Sequence, residues 1–220
     1  GRAFLKGAAY SGHFTTEGIN AKEAKIKLAE VRRVAQQYGG EVANSIPLYL
    51  HANPFMELTP ILGPNGELWK PTHSVLPFSK VLKHNQDYMS LMSEYKERMD
   101  QHGVSMNMMF SFIDSNAFLY EPTFLWKDKQ SIYHKRVYPL DLKNIPVFEE
   151  NPEGYKLVHE IKDRLEENAR NNGAIHFQIG KDYPYLKTRT KSTRNLLMML
   201  KKELDPKNLI NPGNLGFEEN

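Results

Sequence analysis

One layout occurs three times along the chain: an amphipathic helix ends at a glycine, and a strand-like segment follows. In each helix the apolar residues recur at intervals of three and four, which places them on one face. The predicted helices and the glycines that end them are residues 20–38 before Gly39, residues 81–101 before Gly103, and residues 153–170 before Gly173. The segments that follow, predicted as strands, are residues 41–50, 104–113 and 174–180. Helices that alternate with strands in this way predict an α+β fold.

A hairpin is the clearest part of the predicted sheet. Residues 104–113 alternate with period two, residues 114–116 form a turn, and residues 118–126 return as the partner strand although Pro122 interrupts it. Further candidate strands are residues 2–10, 67–73 and 132–138, and a fourth helix covers residues 192–204. We therefore expect a ferredoxin-like arrangement, with a mainly antiparallel sheet and the helices on one face.

Composition and spacing exclude several kinds of site. The chain of 220 residues has no cysteine, so disulfides, thiolate zinc sites, iron–sulfur clusters and cysteine nucleophiles cannot form. A net charge of +3, with the charges scattered, gives no reason to expect nucleic acid as a partner. No apolar run approaches the ~20 residues of a membrane-spanning helix, so we expect no membrane span. The histidines do not fall at metal-ligand spacing, so we expect no metal site either.

Two groups of side chains are candidates for a binding site. Alternation in residues 174–180 places His176 and Gln178 opposite Ile175 and Phe177, where they either contact a ligand or face solvent. The predicted hairpin gathers methionine and aromatic residues, which either pack under the helices or form the wall of an apolar substrate pocket. Both alternatives stay open for each group.

Two strings of residues resemble a known enzyme family. Residues 204–213 read L-D-P-x-N-L-I-N-P-G, and residues 66–71 read G-x-x-W-x-P. Together with the helix–glycine–strand unit that ends at residue 180, their order is similar to that in the FAD-linked oxidases and dehydrogenases of the vanillyl-alcohol oxidase / p-cresol methylhydroxylase family. In that family a substrate (cap) domain follows an FAD-binding domain, and the last stretch of chain returns to the FAD domain.

The resemblance implies a domain organisation and a reaction. Residues 1–180 would be the cap domain, and residues 181–220 would be a C-terminal helix and tail that pack on an FAD-binding domain absent from this chain. That partner domain would lie upstream in the same polypeptide or on a separate chain, and a homodimer is a further option. The implied reaction is hydride transfer to FAD from an aromatic or hydroxylated organic small molecule.

The resemblance also implies roles for individual residues. The Tyr-Arg pair that stabilises a phenolate in the family corresponds to Phe177 and Gln178 here, so the charge is lost. We expect His176 and Gln178 to be catalytic, and Asn211 and Asn214 to contact the cofactor. The substrate-binding residues implied are Trp69, Met108, Phe110, Tyr120, Trp126 and Phe177. The lost pair also fits a catalytically silent subunit of the same fold. An unrelated α+β ligand-binding module is a further alternative.

Overall fold

A computed structural model describes residues 7–55, 62–63, 65–113, 115–137, 146–178 and 180–217. The chain forms two compact units, Gly1–Leu58 and Thr59–Asn220. The described residues of the first unit contain two helices, and the second unit contains the whole of the described sheet. The division at residue 180 into a cap and a tail stays a prediction.

The first unit contains α1 (Ala21–Ala35) and α2 (Ser45–Ala52). The side chain of Asn20 caps α1, since it accepts a hydrogen bond from the N–H of Glu23. The prediction that residues 41–50 are a strand is wrong, because α2 occupies most of this range. A short apolar run fits a strand and a helix equally well, and Pro47 lies in the first turn, where a helix needs no N–H.

The second unit contains an open four-stranded antiparallel sheet, so the chain has an α+β fold as predicted. Its central strand is β4 (Ala117–Trp126), which pairs along its full length with β3 (Val104–Ile113). The other edge of β4 is shared by two short strands, β1 (Leu68–Pro71) and β2 (Ser74–Pro77). Both predicted hairpin strands are confirmed. The strand predicted over residues 67–73 is confirmed in part, since β1 covers four of its residues, and β2 lies beyond it and was not predicted.

Helices α3 (Phe78–His102) and α5 (Pro152–Asn171) pack on one face of the sheet. The hydrophobic core between these layers includes Tyr88, Leu91 and Tyr95 of α3, Leu157, Val158, Ile161 and Leu165 of α5, and Tyr120, Phe124 and Trp126 of β4. α3 ends at Gly103, whose φ of 66° lies in the left-handed region that glycine adopts without steric cost. Both predicted helices are confirmed, and each extends slightly beyond its predicted ends.

Two shorter α-helices lie in the described part of the second unit, besides short 3-10 helices at Tyr185–Thr188 and Asn214–Gly216. The first, α4 (Ile132–Val137), overturns the strand predicted over residues 132–138, and Tyr138 lies outside the described residues. Ser131 favours the helix because its hydroxyl accepts a hydrogen bond from the N–H of His134, as a capping residue does. The second, α6 (Lys191–Leu204), agrees with the predicted fourth helix. Throughout the described ranges, no helix is both long enough and apolar enough to cross a membrane.

Residues 174–178 do not form the predicted strand. Within the described residues they make one antiparallel bridge, from Ile175 to Val75 of β2, and the chain then bends at Phe177. The bend arises because the N–H of Phe177 donates to the side chain of His73 and not to a neighbouring strand. Residues 7–10 are not a strand either, and the rest of the strand predicted over residues 2–10 lies outside the described residues, as does Ile179.

Candidate functional site at a break in the sheet edge

The candidate site lies where the edge of the sheet is interrupted between β1 and β2. Thr72 and His73 fill this break, and the N–H of Thr72 donates to the carbonyl of Pro122 on β4 (2.9 Å). In an antiparallel ladder the N–H and C=O of one residue point to the same neighbouring strand. The N–H that Pro122 lacks would therefore point to this edge, which explains why regular pairing stops here.

His73 holds the segment that follows α5 against the break. Its carbonyl oxygen accepts a hydrogen bond from His176 Nδ1 (2.8 Å), and its ring Nε2 accepts one from the N–H of Phe177 (3.1 Å). The N–H of His73 donates to the hydroxyl oxygen of Tyr183 (3.0 Å). The ring centroids of Phe177, Tyr183 and His176 lie 4.0, 4.3 and 5.4 Å from that of His73. One residue thus fixes both ends of the segment over residues 176–183.

Burial sets the protonation states in this cluster. Burial, and to a lesser extent the neighbouring His176, lowers the pKa of His73 to about 4, so its imidazole is neutral at pH 7. Since Nε2 of His73 accepts a hydrogen bond, the ring hydrogen is on Nδ1. Burial likewise raises the pKa of Tyr183 to about 12, so its hydroxyl keeps its hydrogen. The side chains of His73 and Tyr183 are therefore both uncharged at pH 7.

Charged residues lie beneath and beside the segment. His176 Nε2 is 3.8 Å from Glu166 Oε1, and the same oxygen is 3.2 Å from Arg170 Nε. Burial acts to raise the pKa of Glu166, but the neighbouring His176 and Arg170 outweigh it and keep the pKa below its ordinary value. At the other end of the segment, Asp182 pairs with Lys70 of β1 (2.7 Å). The segment is therefore held to both α5 and the sheet.

A surface pocket of about 370 Å³ opens on this segment. Its lining consists of Phe177, Gln178, Gly180, Lys181, Asp182 and Tyr183. The side chain of Gln178 is exposed, and Phe177 is 56% exposed. The pocket therefore offers an aromatic surface next to a neutral amide, which can both donate and accept hydrogen bonds.

His176 and Gln178 do not share an exposed face. Gln178 lines the pocket, whereas His176 is 7% exposed and lies beneath it. Ile175 and Phe177 lie on the accessible side instead, at 47% and 56% exposed. Because Ile175 pairs with Val75 at the sheet edge, the next residue, His176, faces the helices.

The predicted substrate-binding residues are spread over both faces of the sheet. Those that face the helices are Met108, Phe110, Tyr120 and Trp126. Two of these four are buried in the core, Tyr120 at 1% exposed and Trp126 at 3%. Trp69 is 40% exposed and lies on the opposite face, because it pairs with Leu125. Of the six residues, Phe177 is the one that lines the pocket.

The predicted cofactor contacts lie in a turn beside the pocket. The N–H of Asn214 donates to the carbonyl of Asn211 (3.2 Å), and the N–H of Leu215 donates to the carbonyl of Gly180 (2.8 Å), which borders the pocket.

His73 was not identified as a site residue by the sequence analysis. The signal that could have identified it is Pro122, since a proline inside a central strand marks a break in the strand that pairs with it.

A comparison with models of known protein families gave no match, and a comparison with curated proteins gave none either. Within the ranges that the structure describes, no three His, Asp or Glu side chains are arranged to hold a metal ion. Function is therefore inferred from the motifs in the sequence and from the geometry of the pocket.

Proposed function

We propose that this chain is the substrate domain of an FAD-dependent oxidoreductase that oxidises an aromatic or hydroxylated organic molecule. The observation that carries the proposal is the pocket on residues 177–183. Phe177 and Gln178, which correspond to the substrate-activating Tyr-Arg pair of the family, line this pocket together. A ferredoxin-like cap with a boundary near residue 180 is part of the same proposal.

The pocket residues fit the ring system of a flavin. The exposed ring of Phe177 offers a flat apolar surface, and the amide of Gln178 can bond both the donors and the acceptors at the edge of a heteroaromatic ring. The turn over residues 211–214 adjoins the pocket through Gly180 and adds the amides of Asn211 and Asn214. When bound, FAD supplies the hydride acceptor, and the protein supplies binding and orientation.

In this proposal the uncharged amide of Gln178 orients the substrate, in a pocket whose lining also includes the charged residues Lys181 and Asp182. Gln178 carries no charge, and His73 and Tyr183 beside it are neutral at pH 7. The amide of Gln178 donates a hydrogen bond to a hydroxyl or carbonyl oxygen of the substrate and so sets its direction. Substrate activation therefore differs from that of family members that use a Tyr-Arg pair.

His176 acts as a positioning residue, because its buried imidazole does not border the pocket. It donates to the carbonyl of His73 and lies beside Glu166 of α5. These contacts hold the backbone of the next two residues, Phe177 and Gln178, at the pocket. Its contribution is thus to the geometry of the site and not to proton transfer with substrate.

The C-terminal helix supports the proposed FAD-domain partner. No residue of α6, all of which is described, is buried. Its exposed apolar residues include Leu196, Met199, Leu200 and Leu204. Their spacing of three and four places them along one side of the helix. A continuous apolar surface of this kind is typical of an interface, and here we assign it to the FAD-binding domain.

The first test is the visible absorption spectrum of the full-length protein purified from its natural source. A flavin spectrum that bleaches when aromatic alcohols or phenols are added without oxygen is the expected result. A colourless protein overturns the proposal. A flavin that is bound but is not reduced by any compound of the panel overturns the proposed reaction and favours a catalytically silent subunit.

A substitution then tests the residue assignment. We expect Gln178→Leu to slow flavin reduction by substrate on the order of fivefold, because the loss of one hydrogen bond costs about 1 kcal/mol. Gln101→Leu, at an exposed glutamine near the end of α3, is the matched control. Equal rates for the two variants would remove Gln178 from the site.

A further inference from the structure

A small cavity lies in the second unit between the break in the sheet edge and helices α3 and α5. Its volume is about 10 Å³, which is close to the minimum that one water molecule requires. Its lining includes Thr72 from the break, Ser74 from β2, His84 from α3 and Glu166 from α5. Polar residues of the break and of three secondary-structure elements therefore border a space the size of one water.

Two polar atoms of these residues have no hydrogen-bond partner within the part of the chain that the structure describes. They are Oγ1 of Thr72 and Nδ1 of His84, in residues that are 4% and 2% exposed. Buried polar atoms are costly to leave without a partner, and native proteins satisfy them with protein groups or with ordered water.

The hydrogen bonds of Ser74 show what Nδ1 of His84 requires. The hydroxyl of Ser74 donates to the carbonyl of Tyr120 (3.2 Å), so its oxygen accepts from Nε2 of His84 (3.5 Å). Burial lowers the pKa of His84 to about 4, so at pH 7 the ring carries one hydrogen, and we assign it to Nε2. Nδ1 is therefore an acceptor that requires a donor.

We propose that this cavity is a binding site for one ordered water, which donates to Nδ1 of His84 and accepts the hydroxyl hydrogen of Thr72. The second hydrogen of the water is donated to the carboxylate of Glu166, which borders the same cavity. Three hydrogen bonds are the usual number for a buried water. This inference does not depend on the proposed function.

The water joins the elements that position the pocket. His84 belongs to α3, Thr72 precedes the residue that anchors the pocket segment, and Glu166 lies beside His176. A chain of polar contacts thus runs from α3, through the water and α5, to the carbonyl of His73. The site is a structural one, in the interior of the second unit.

Thr72→Val tests the proposal because it removes the hydroxyl and keeps the β-branched shape. With a bound water, we expect the unfolding equilibrium constant to rise about fivefold, since the water loses a partner. In a dry cavity the same change removes an unsatisfied hydroxyl and stabilises the protein, so an unchanged or lower constant overturns the proposal. Thr123→Val, at a half-buried position of β4 that does not line the cavity, is the control and should be nearly neutral.

NMR spectroscopy then observes the water itself. Cross-relaxation between a long-lived water and the protons of Thr72 and His84 is expected in the wild-type protein. It should persist in Thr72→Ser, which keeps the hydroxyl, and disappear in Thr72→Val. The nitrogen chemical shifts of the His84 ring should show that its hydrogen is on Nε2. A wild-type protein without the water signal, or with the hydrogen on Nδ1, overturns the proposal.

Discussion

The hydroxyl of Tyr183 is the acceptor that satisfies the backbone at the break in the sheet edge. It accepts a hydrogen bond from the N–H of His73 (3.0 Å), and the two residues are 4% and 2% exposed. Tyr183→Phe keeps the ring stacked on His176 and removes this acceptor, so a buried N–H is left without a partner. Such a loss costs about 1–3 kcal/mol, so we expect the free energy of unfolding to fall by about 2 kcal/mol.

Urea-induced unfolding measures this loss. The urea concentration at the midpoint of unfolding should fall. The slope of the free energy of unfolding against urea concentration should stay the same, because the area exposed on unfolding does not change. Hydrogen exchange localises the effect, and the N–H of His73 should exchange about tenfold faster or more in the variant.

Tyr185→Phe is the matched control, because it removes the same hydroxyl two residues further on. The hydroxyl of Tyr185 makes no hydrogen bond within the described residues, so we expect a change of less than about 0.5 kcal/mol. If both substitutions lower the free energy of unfolding equally, the hydrogen bond from His73 does not hold the break together, and the anchoring described above is refuted.

Three further predictions concern pH, a helix end and a surface ion pair. His73 and His84 have pKa values of about 4 in the folded chain and about 6.5 when unfolded, so the unfolded chain binds more protons in this range. Stability should therefore fall as the pH is lowered from about 6.5 to about 4, by roughly 1 kcal/mol per pH unit for each histidine, and His84→Gln should flatten the slope. Gly103→Ala should lower the free energy of unfolding, measured by thermal unfolding, by about 1 kcal/mol. The added Cβ meets open space, but the backbone φ of 66° at this position is left-handed, and a neutral result would contradict this. Glu160 accepts two hydrogen bonds of 2.8 Å from Arg98, which lower its pKa to about 2, yet both side chains are about half exposed. Glu160→Gln should therefore cost less than about 1 kcal/mol, and a larger loss that persists in about 1 M salt would contradict this.

The regular elements of the second unit could be predicted because several local signals agree there. In α3 the apolar spacing of three and four, the long range and the glycine at residue 103 all indicate one helix. The alternation of apolar residues in β3, followed by a turn and a second strand-like run in β4, indicates a hairpin. Where local signals agree in this way, distant contacts do not alter the secondary structure.

Short segments could not be predicted, because distant contacts decide them. Residues 41–50 and 132–138 are compatible with either a strand or a helix, and both ranges contain helices. Residues 174–178 have the alternation of a strand, but the side chain of His73, about 100 residues earlier, accepts the N–H of Phe177 and ends the extended run. The two partners of that hydrogen bond are too far apart in the sequence for any local pattern to include both.

The candidate site could be predicted only in part, because local patterns determine some of its features and distant contacts determine the others. Alternation correctly separates His176 from Phe177, since it requires only that neighbouring residues point in opposite directions. It does not determine which of the two faces the helices, because that depends on the bridge between Ile175 and Val75. The role of His73 depends on contacts with His176, Phe177 and Tyr183 that are distant in sequence.

The position of β3 has a consequence for how this chain behaves in concentrated solution. β3 is an outer strand of the open sheet, and edge strands in native proteins usually carry a charge or a proline that discourages pairing between molecules. The ten residues of β3, V-S-M-N-M-M-F-S-F-I, contain neither. They also combine high strand propensity with no charge, which is the pattern of segments that assemble into intermolecular sheets. We therefore expect aggregation of the chain to begin at β3, and a lysine at the exposed position of Met109 to suppress it.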